Sequence, residues 1–538
     1  MNKRKAASDS KENTKYKKLC VRESSEEHSF NESSEKSSSD SDAYYSTEPD
    51  TDDIVYETSE ESDSVDREAN IVVSTGPTWE RVTGKSLRQF AFREIPTSPN
   101  INVASKPIDV FDLFVTDEIY DLVVTQTNLN AHKKLMKNIK RCSRMRKWKD
   151  TNTDEMKKFF GLVVYMGIVK LPGIHMYWSK NQFYRNAFVP QVMSRNRFQL
   201  LLKMIHFAND DDIAGDRLGK VRNLLNLLEK NFMSRTPGEI LVVDESMIPW
   251  RGRLLFRQYN PRKSHRYGVK DYKLCDPSGY TYTSSIYCGA SAHPQDRGTP
   301  KPGSPHTSQI VLDLAEPYLD NGRTMITDNF YTSITLAKAL QNRKTHLIGT
   351  LRKDRTGNPE TVTKSKLKRG EIVGRESSGI VVAKWKDKRD VLMLTTKHNL
   401  KQKSTGKQGI DLSDQMSSYF SPLRKTIRWY HKIAFEYLLS TSVVNALILY
   451  KVVQPKTKIL HFKMSICQSL CGIQTASSSS GDNQYQYMFG QLITALSNVS
   501  FNDTHLALNR PLHNPLHVIK SVLINAFLHV SHVEVKLV

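Results

Sequence analysis

Cysteine is scarce in this chain, with six in 538 residues. Cys20, Cys142, Cys275 and Cys288 are scattered, and only Cys467 and Cys471 lie close, without forming a CxxC pair. That spacing excludes a disulfide framework and suits a reducing compartment. His265, His346, His398, His431 and His461 have no partners at ligand spacing, so no zinc is expected. No uninterrupted apolar run reaches the ~18 residues that cross a bilayer, so no membrane is expected as a partner. The opening MNKRKAASDS has none of the apolar stretch of a secretory signal. A GxxxxGK[ST] loop is absent as well, which argues against an ATP-driven motor.

Charge is abundant and uneven. The formal net charge is +22, yet residues 1–68 hold ten Lys/Arg against nineteen Asp/Glu, leaving +31 on the remainder. A body so positive repels itself unless it meets a polyanion, and nucleic acid is the natural one. Lys3-Arg4-Lys5 and Lys15-Tyr16-Lys17-Lys18 form two short basic clusters with a spacer. A nuclear import receptor reads such clusters, so the expected location is the nucleus.

Composition shifts divide the chain. Residues 1–75 are a Ser- and acid-rich tail with too little apolar surface to order, and disorder is expected there. Residues 95–238 read as mostly helical, with order beginning near Pro107, Thr116 as a helix N-cap and a helix starting at Thr153. From 239 to 354 the pattern becomes β-β-β-α-β-α-β, which predicts a mixed sheet with helices on its faces. Residues 355–398 are basic and strand-like and read as an insertion domain. Residues 399–420 return to the domain begun at 239–354, 421–475 are helical again, and 476–538 form a divergent tail.

The chemistry-bearing candidates are acids. Asp244 ends the apolar strand LVVD, Asp328 ends MITD, and Asp411 and Asp414 stand in GIDLSDQM at a helix start. Carboxylates ending neighbouring strands point into one crevice, and helix positions i and i+3 share a face. Such a cluster needs a cation, and hard oxygen donors suit Mg²⁺. Two ions ~4 Å apart serve phosphodiester transfer. Most strand-end acids, however, only cap turns, and spacing alone leaves both readings open. Basic residues flank the acids: Arg251, Arg253, Arg257, Lys263, Arg266 and Lys270 after the first, and Arg424, Lys425 and Arg428 beside Trp429 after the last. Guanidinium forks match phosphates and an indole can stack on a base; solvated charge and a core tryptophan are the plain alternatives.

Three blocks, ILVVDESMIPWRGR, MITDNFYTS and GIDLSDQM running into SPLRKTIRWYHK, resemble in order and spacing the acidic blocks of piggyBac-family DNA transposases. FDLFVTDE, WKDTNTDEMKKFFGLVVYMGIVKLP and MSRNRFQLLLKMIHF upstream are similar too, so the resemblance spans about residues 105 to 455. It implies an α/β fold with an RNase H-like catalytic domain carrying an insertion, beside a helical dimerisation and DNA-binding domain. The family's catalytic, metal-binding aspartates fall on Asp244, Asp328 and Asp411, with the additional acid on Asp414. The implied reaction needs two Mg²⁺ ions, with Mn²⁺ as substitute. Water nicks the element's end, the freed 3′-OH forms a hairpin at TTAA, and after opening it joins a new TTAA site. Double-stranded DNA and a second copy of the chain are the implied partners.

Two segments depart from the family. Its members commonly finish in a Cys/His-rich zinc module, whereas residues 474–538 contain no cysteine. They also carry a longer segment before the third aspartate, where this chain runs through LKQKSTGKQ. The alternative expectation is therefore a transposase-derived nuclear DNA-binding protein with impaired catalysis.

Overall fold

The computed structural model describes residues 78–473 apart from 138, 214, 262, 264, 290–296, 298–304, 400–408 and 425–426. The tails expected at 1–75 and 476–538 and the basic Lys425 lie outside the described residues.

Ten strands form one mixed sheet: β1 (Glu80–Arg81), β2 (Ile240–Pro249), β3 (Gln258–Tyr259), β4 (Tyr267–Cys275), β5 (Thr281–Ile286), β6 (Thr324–Thr327), β7 (His346–Thr350), β8 (Ile372–Ser377), β9 (Ile380–Lys386) and β10 (Asp390–Thr395). Their spatial order is β1-β8-β9-β10-β7-β6-β2-β4-β3, with β5 also on β4. The centre is the part anticipated from the alternating pattern. β2, β4 and β5 make an antiparallel meander, and β6 and β7 join β2 in parallel. The helices His306–Ala315 and Ile334–Asn342 make the crossovers. Asp276 sets the β4–β5 turn, its Oδ1 accepting from Ser278 N at 2.8 Å and Tyr280 N at 3.2 Å. Gly279 completes the turn at φ +90°, where a side chain would be strained.

The 355–398 segment extends this same sheet. β8, β9 and β10 form an antiparallel meander, and β10 pairs with β7. β1 adds to β8, and Glu376 at that edge accepts from Thr83 Oγ1 at 2.6 Å and Gly84 N at 2.9 Å. Structure therefore begins before Pro107: 78–106 already straps the sheet, and Glu94 reaches the fully buried Arg323.

The helical part draws on both flanks. Asp117–Met136, Thr153–Ile168, Arg195–Met204 and Arg222–Phe232 come before the sheet, and Trp429–Glu436, Ser442–Val453 and Ile459–Leu470 after it. Thr116 holds the N-cap position of the first, but its side chain makes no capping bond. Thr153 starts its helix as expected, and the capping group is Asn152, which accepts from Glu155 N at 2.9 Å. Ile459–Leu470 lies on Thr153–Ile168, Cys467 Sγ being 3.3 Å from the Gly161 carbonyl. The span Trp429–Val453 is long and apolar enough to cross a bilayer by length and composition, yet 89% of its apolar window is buried within the protein. It is a core helix.

Candidate active site

β2 alternates its side chains between the two faces of the sheet. Val242 packs with Cys275, Ile410 and Ile326 on one face, so Asp244, two residues on, projects from that face. In the parallel β2–β6 pair Val243 faces Thr327. One register step further places Asp244 beside Asp328, which directly follows β6, about 5 Å apart in backbone. Asp244 does not end its strand as LVVD suggested: β2 runs on to Pro249, because its second half still pairs with β4 after β6 has ended. Thr350, ending β7, donates to Asp328 Oδ1 at 3.0 Å. The ends of β6 and β7 thus meet beside the middle of β2.

The third block arrives as the helix Gly409–Ser418. Its Ile410 enters the Val242/Cys275/Ile326 cluster, so the helix lies across the same sheet face as Asp244 and Asp328. Asp411 is exposed and Asp414 half-buried. The close fit is visible at Gly409, where a Cβ would stand 2.6 Å from the Asp276 carbonyl.

Electrostatics bind the acids into one group. Burial raises the Asp244 carboxyl well above its usual value, with Glu245 adding to the rise, Lys263 opposing it, and Asp328 contributing too. Burial raises Asp414 as well, against Lys273 and Lys263, while Asp411 adds to it. Lys263 donates to the Glu245 carbonyl at 2.9 Å. Burial disfavours its charge, but Glu245, Asp244, Asp414 and Asp411 together hold the ammonium more firmly protonated than usual. An ammonium therefore serves as counter-charge within the carboxylate group. Among the described residues, no three His, Cys, Asp or Glu side chains converge into a closed ligand set for an ion. The donor chemistry nonetheless fits a hard divalent cation: carboxylates raised by burial and mutual repulsion, answered locally by a lysine.

The basic residues separate. Arg251, Arg253 and Arg266 are exposed, beyond the Pro249–Gly268 end of the β2–β4 pair. Arg257 folds back on the Arg251 and Gly252 carbonyls, both at 3.1 Å, and over the Tyr267 ring. Lys270 is buried and lies 4.4 Å from the Phe330 ring centroid, away from any phosphate surface. Arg424 bonds the Leu171 carbonyl and the Tyr177 hydroxyl, tying the helical flanks together. Arg428 donates to Tyr430 Oη, and Trp429 stands edge-on to Phe256. Sequence reasoning missed Lys273, which meets Asp414, and behind it Asp271, which meets Lys273 and the Tyr437 hydroxyl. The alternation of β4 puts Asp271 and Lys273 on one face, but only the register shows that this face is the one carrying Asp244.

This arrangement defines a class: a mixed α/β fold whose sheet carries aspartates on two adjacent parallel strands, with a helix bearing two more on the same face. The Transposase IS4 family profile matches residues 106–447, and the chain belongs to that family of transposases, of the piggyBac type. It is similar to human piggyBac transposable element-derived protein 3, 27% identical over 306 residues, covering 54% of this chain and 48% of that protein. Human piggyBac transposable element-derived protein 2 is 24% identical over 385 residues, 64% of this chain and 62% of the relative. The chain thus spans about half the length of the first relative and less than two thirds of the second. A cryo-EM structure of a piggyBac transposase synaptic complex with hairpin DNA superposes with TM-score 0.60 at 26% identity, over 74% of this chain and 87% of that one.

Proposed function

We propose that this chain is a cut-and-paste DNA transposase that cleaves and joins DNA strands at TTAA sequences in a divalent-metal-dependent reaction. One observation carries the reading: Asp244 within β2 and Asp328 directly after β6 lie on adjacent parallel strands in register, and the helix bearing Asp411 and Asp414 is seated on that same face. The strand order of β5-β4-β2-β6-β7 supports an RNase H-like catalytic core. Asp244, Asp328 and Asp411 would hold Mg²⁺, or Mn²⁺ in its place, with Asp414 as the fourth acid of the group. Bound there, the metal supplies Lewis-acid activation of an attacking hydroxyl and charge for the leaving oxygen. The protein's own part is positioning. Arg251, Arg253 and Arg266 would offer exposed cations to the phosphates, and Lys263, bonded to the Glu245 carbonyl, would neutralise charge among the carboxylates. Homodimerisation, a nuclear location and an import receptor belong to the same proposal, resting on the family and on the basic clusters.

The test is incubation of the full chain with a TTAA-containing duplex and Mg²⁺ or Mn²⁺. Strand joining that disappears in Asp244→Ala and Asp328→Ala supports the proposal. A second reading, a transposase-derived DNA-binding protein, is favoured by the open disposition of the carboxylates. Metal-independent binding of the duplex with no cleavage would establish that reading and remove the first.

A further inference from the structure

The sheet face that carries Asp244 also carries a lysine closed off from solvent. Lys273 stands directly opposite Asp244 in the β2–β4 register and is 1% exposed. A buried ammonium persists only where carboxylates answer it. Two do: Asp271 at 3.8 Å and Asp414 at 3.7 Å. Asp271 is itself fully buried, and the Tyr437 hydroxyl lies 2.8 and 2.9 Å from its two oxygens. The same hydroxyl meets Ser284 Oγ at 2.8 Å. Tyr437 opens the π-helical turn Tyr437–Thr441 inside the core helix, a local widening that often marks functional positions. A continuous chain of polar contacts therefore runs from the core helix through β4 to the helix that bears Asp411.

We propose that Lys273 is a positioning residue that takes Asp414 as its counter-ion, so that Asp414 anchors the acid-bearing helix to β4 and leaves Asp411, one turn earlier, to the metal. The inference rests on the metal-dependent reading above and reassigns one of its four acids. Two facts separate the paired aspartates. Asp411 is exposed toward the crevice, whereas Asp414 meets an ammonium that has no access to water. Mg²⁺ takes only one or two protein carboxylates per ion, so Asp244, Asp328 and Asp411 suffice as donors. Lys273 gains from the arrangement too, because Asp271 alone would leave it with a single partner at 3.8 Å.

The experiment is a double-mutant cycle on the full chain, with Mn²⁺ affinity read from the EPR signal of free Mn²⁺ and with thermal midpoints measured alongside. Asp244→Asn and Asp411→Asn serve as the ligand controls. If Asp414 acts through Lys273, Asp414→Asn and Lys273→Met each weaken Mn²⁺ binding by about tenfold, the scale of an outer positioning group. The double variant is then no weaker than either single one to within about twofold, since both break the same anchor. Thermal midpoints are compared in an Asp271→Asn background, because Asp271 would otherwise lose its ammonium when Lys273 is replaced. There the double variant melts above Asp414→Asn, since Lys273 and both carboxylates that meet it are gone together and none is left unpaired. An Asp414→Asn loss that is as large in the Lys273→Met background as in the wild type makes Asp414 a direct ligand and overturns the proposal. Tighter binding by Lys273→Met overturns it as well. Should Lys273→Met alone not fold, a double variant melting below Asp414→Asn in the Asp271→Asn background refutes the pairing. Wild-type affinity in both controls would remove the metal reading itself, and this inference with it.

Discussion

Gly409→Ala is the sharpest probe of how the third aspartate is placed. The acid-bearing helix begins against the β4–β5 turn, and a Cβ at residue 409 would lie 2.6 Å from the Asp276 carbonyl oxygen and 3.2 Å from Val242 Cγ2. An ordinary C···O contact is about 3.3 Å, so the helix start must retreat by roughly 0.7 Å. It cannot slide along the turn instead. A Cβ on Gly279 would already be 3.1 Å from Ser413 N and 3.2 Å from the Gly409 carbonyl, so the two backbones touch along the whole contact. Since misplacement by 1 Å costs on the order of 100-fold in rate, a 0.7 Å retreat should slow strand joining roughly 10- to 100-fold. The overpacking itself should destabilise the fold by about 1–3 kcal/mol. The assay is single-turnover joining of a TTAA duplex at saturating Mg²⁺. Gly238→Ala serves as control, because nothing lies within 4 Å of its added methyl. Gly409→Ala joining at the wild-type rate would refute the claim that this close seating sets the position of Asp411.

Three stability predictions follow from buried polar groups. Arg323→Met removes a fully buried guanidinium that bonds the Gly238, Tyr318 and Pro237 carbonyls and pairs with Glu94, and should lower stability by about 3–5 kcal/mol in urea unfolding. Asn445→Leu strips both bonds from the Thr281 backbone, to its N–H and its C=O at 2.9 Å each, and should cost about 2–4 kcal/mol by the same measurement. His431 is held well below its usual pKa by burial first and by Arg428 next, with its Nε2 3.0 Å from the Ile205 carbonyl. The unfolded chain therefore takes up a proton below about pH 6.5 that the folded chain refuses, and stability falls as pH drops through that window. Thermal melts at pH 7.5 and 5 should differ by about 2 kcal/mol more in wild type than in His431→Gln.

Local signals carried much of this architecture. The β-β-β-α-β-α-β order was legible because the strands are apolar runs separated by turn signals, as at Pro277-Ser278-Gly279. Asp244 and Asp328 stood out as acids closing apolar runs and Asp411 and Asp414 as an i, i+3 pair. The sequence did not tell that β2 runs past Asp244 to Pro249, since that half of the strand is held by its pairing with β4. What stayed hidden was pairing between distant segments. Nothing in 372–395 says that β10 will add to β7, and nothing in 78–94 announces a strap whose Glu94 meets Arg323. Charge was the other blind spot. Arg424, Lys270 and Lys273 look in the sequence like the surface cations around them, yet Arg424 bonds Tyr177 and the two lysines are buried. A formal charge carries no record of its solvent exposure, and only the register of β4 against β2 separates Lys273 from a phosphate-binding lysine.

That distinction changes how the +22 net charge bears on DNA binding. Part of the positive charge is directed inward, at the acids: Lys263 at the Glu245 carbonyl, and Lys273 between Asp271 and Asp414. Burial and mutual repulsion would otherwise drive these carboxyls toward their neutral forms, as they do at Asp244. Lys263 opposes that rise at Asp244, a proposed metal donor, whereas Lys273 is taken up by Asp271 and Asp414. Exposed cations such as Arg251, Arg253 and Arg266, rather than these lysines, are available to attract a polyanion. Salt should accordingly weaken duplex binding through those exposed cations, while leaving the buried Lys273–Asp414 contact nearly unscreened.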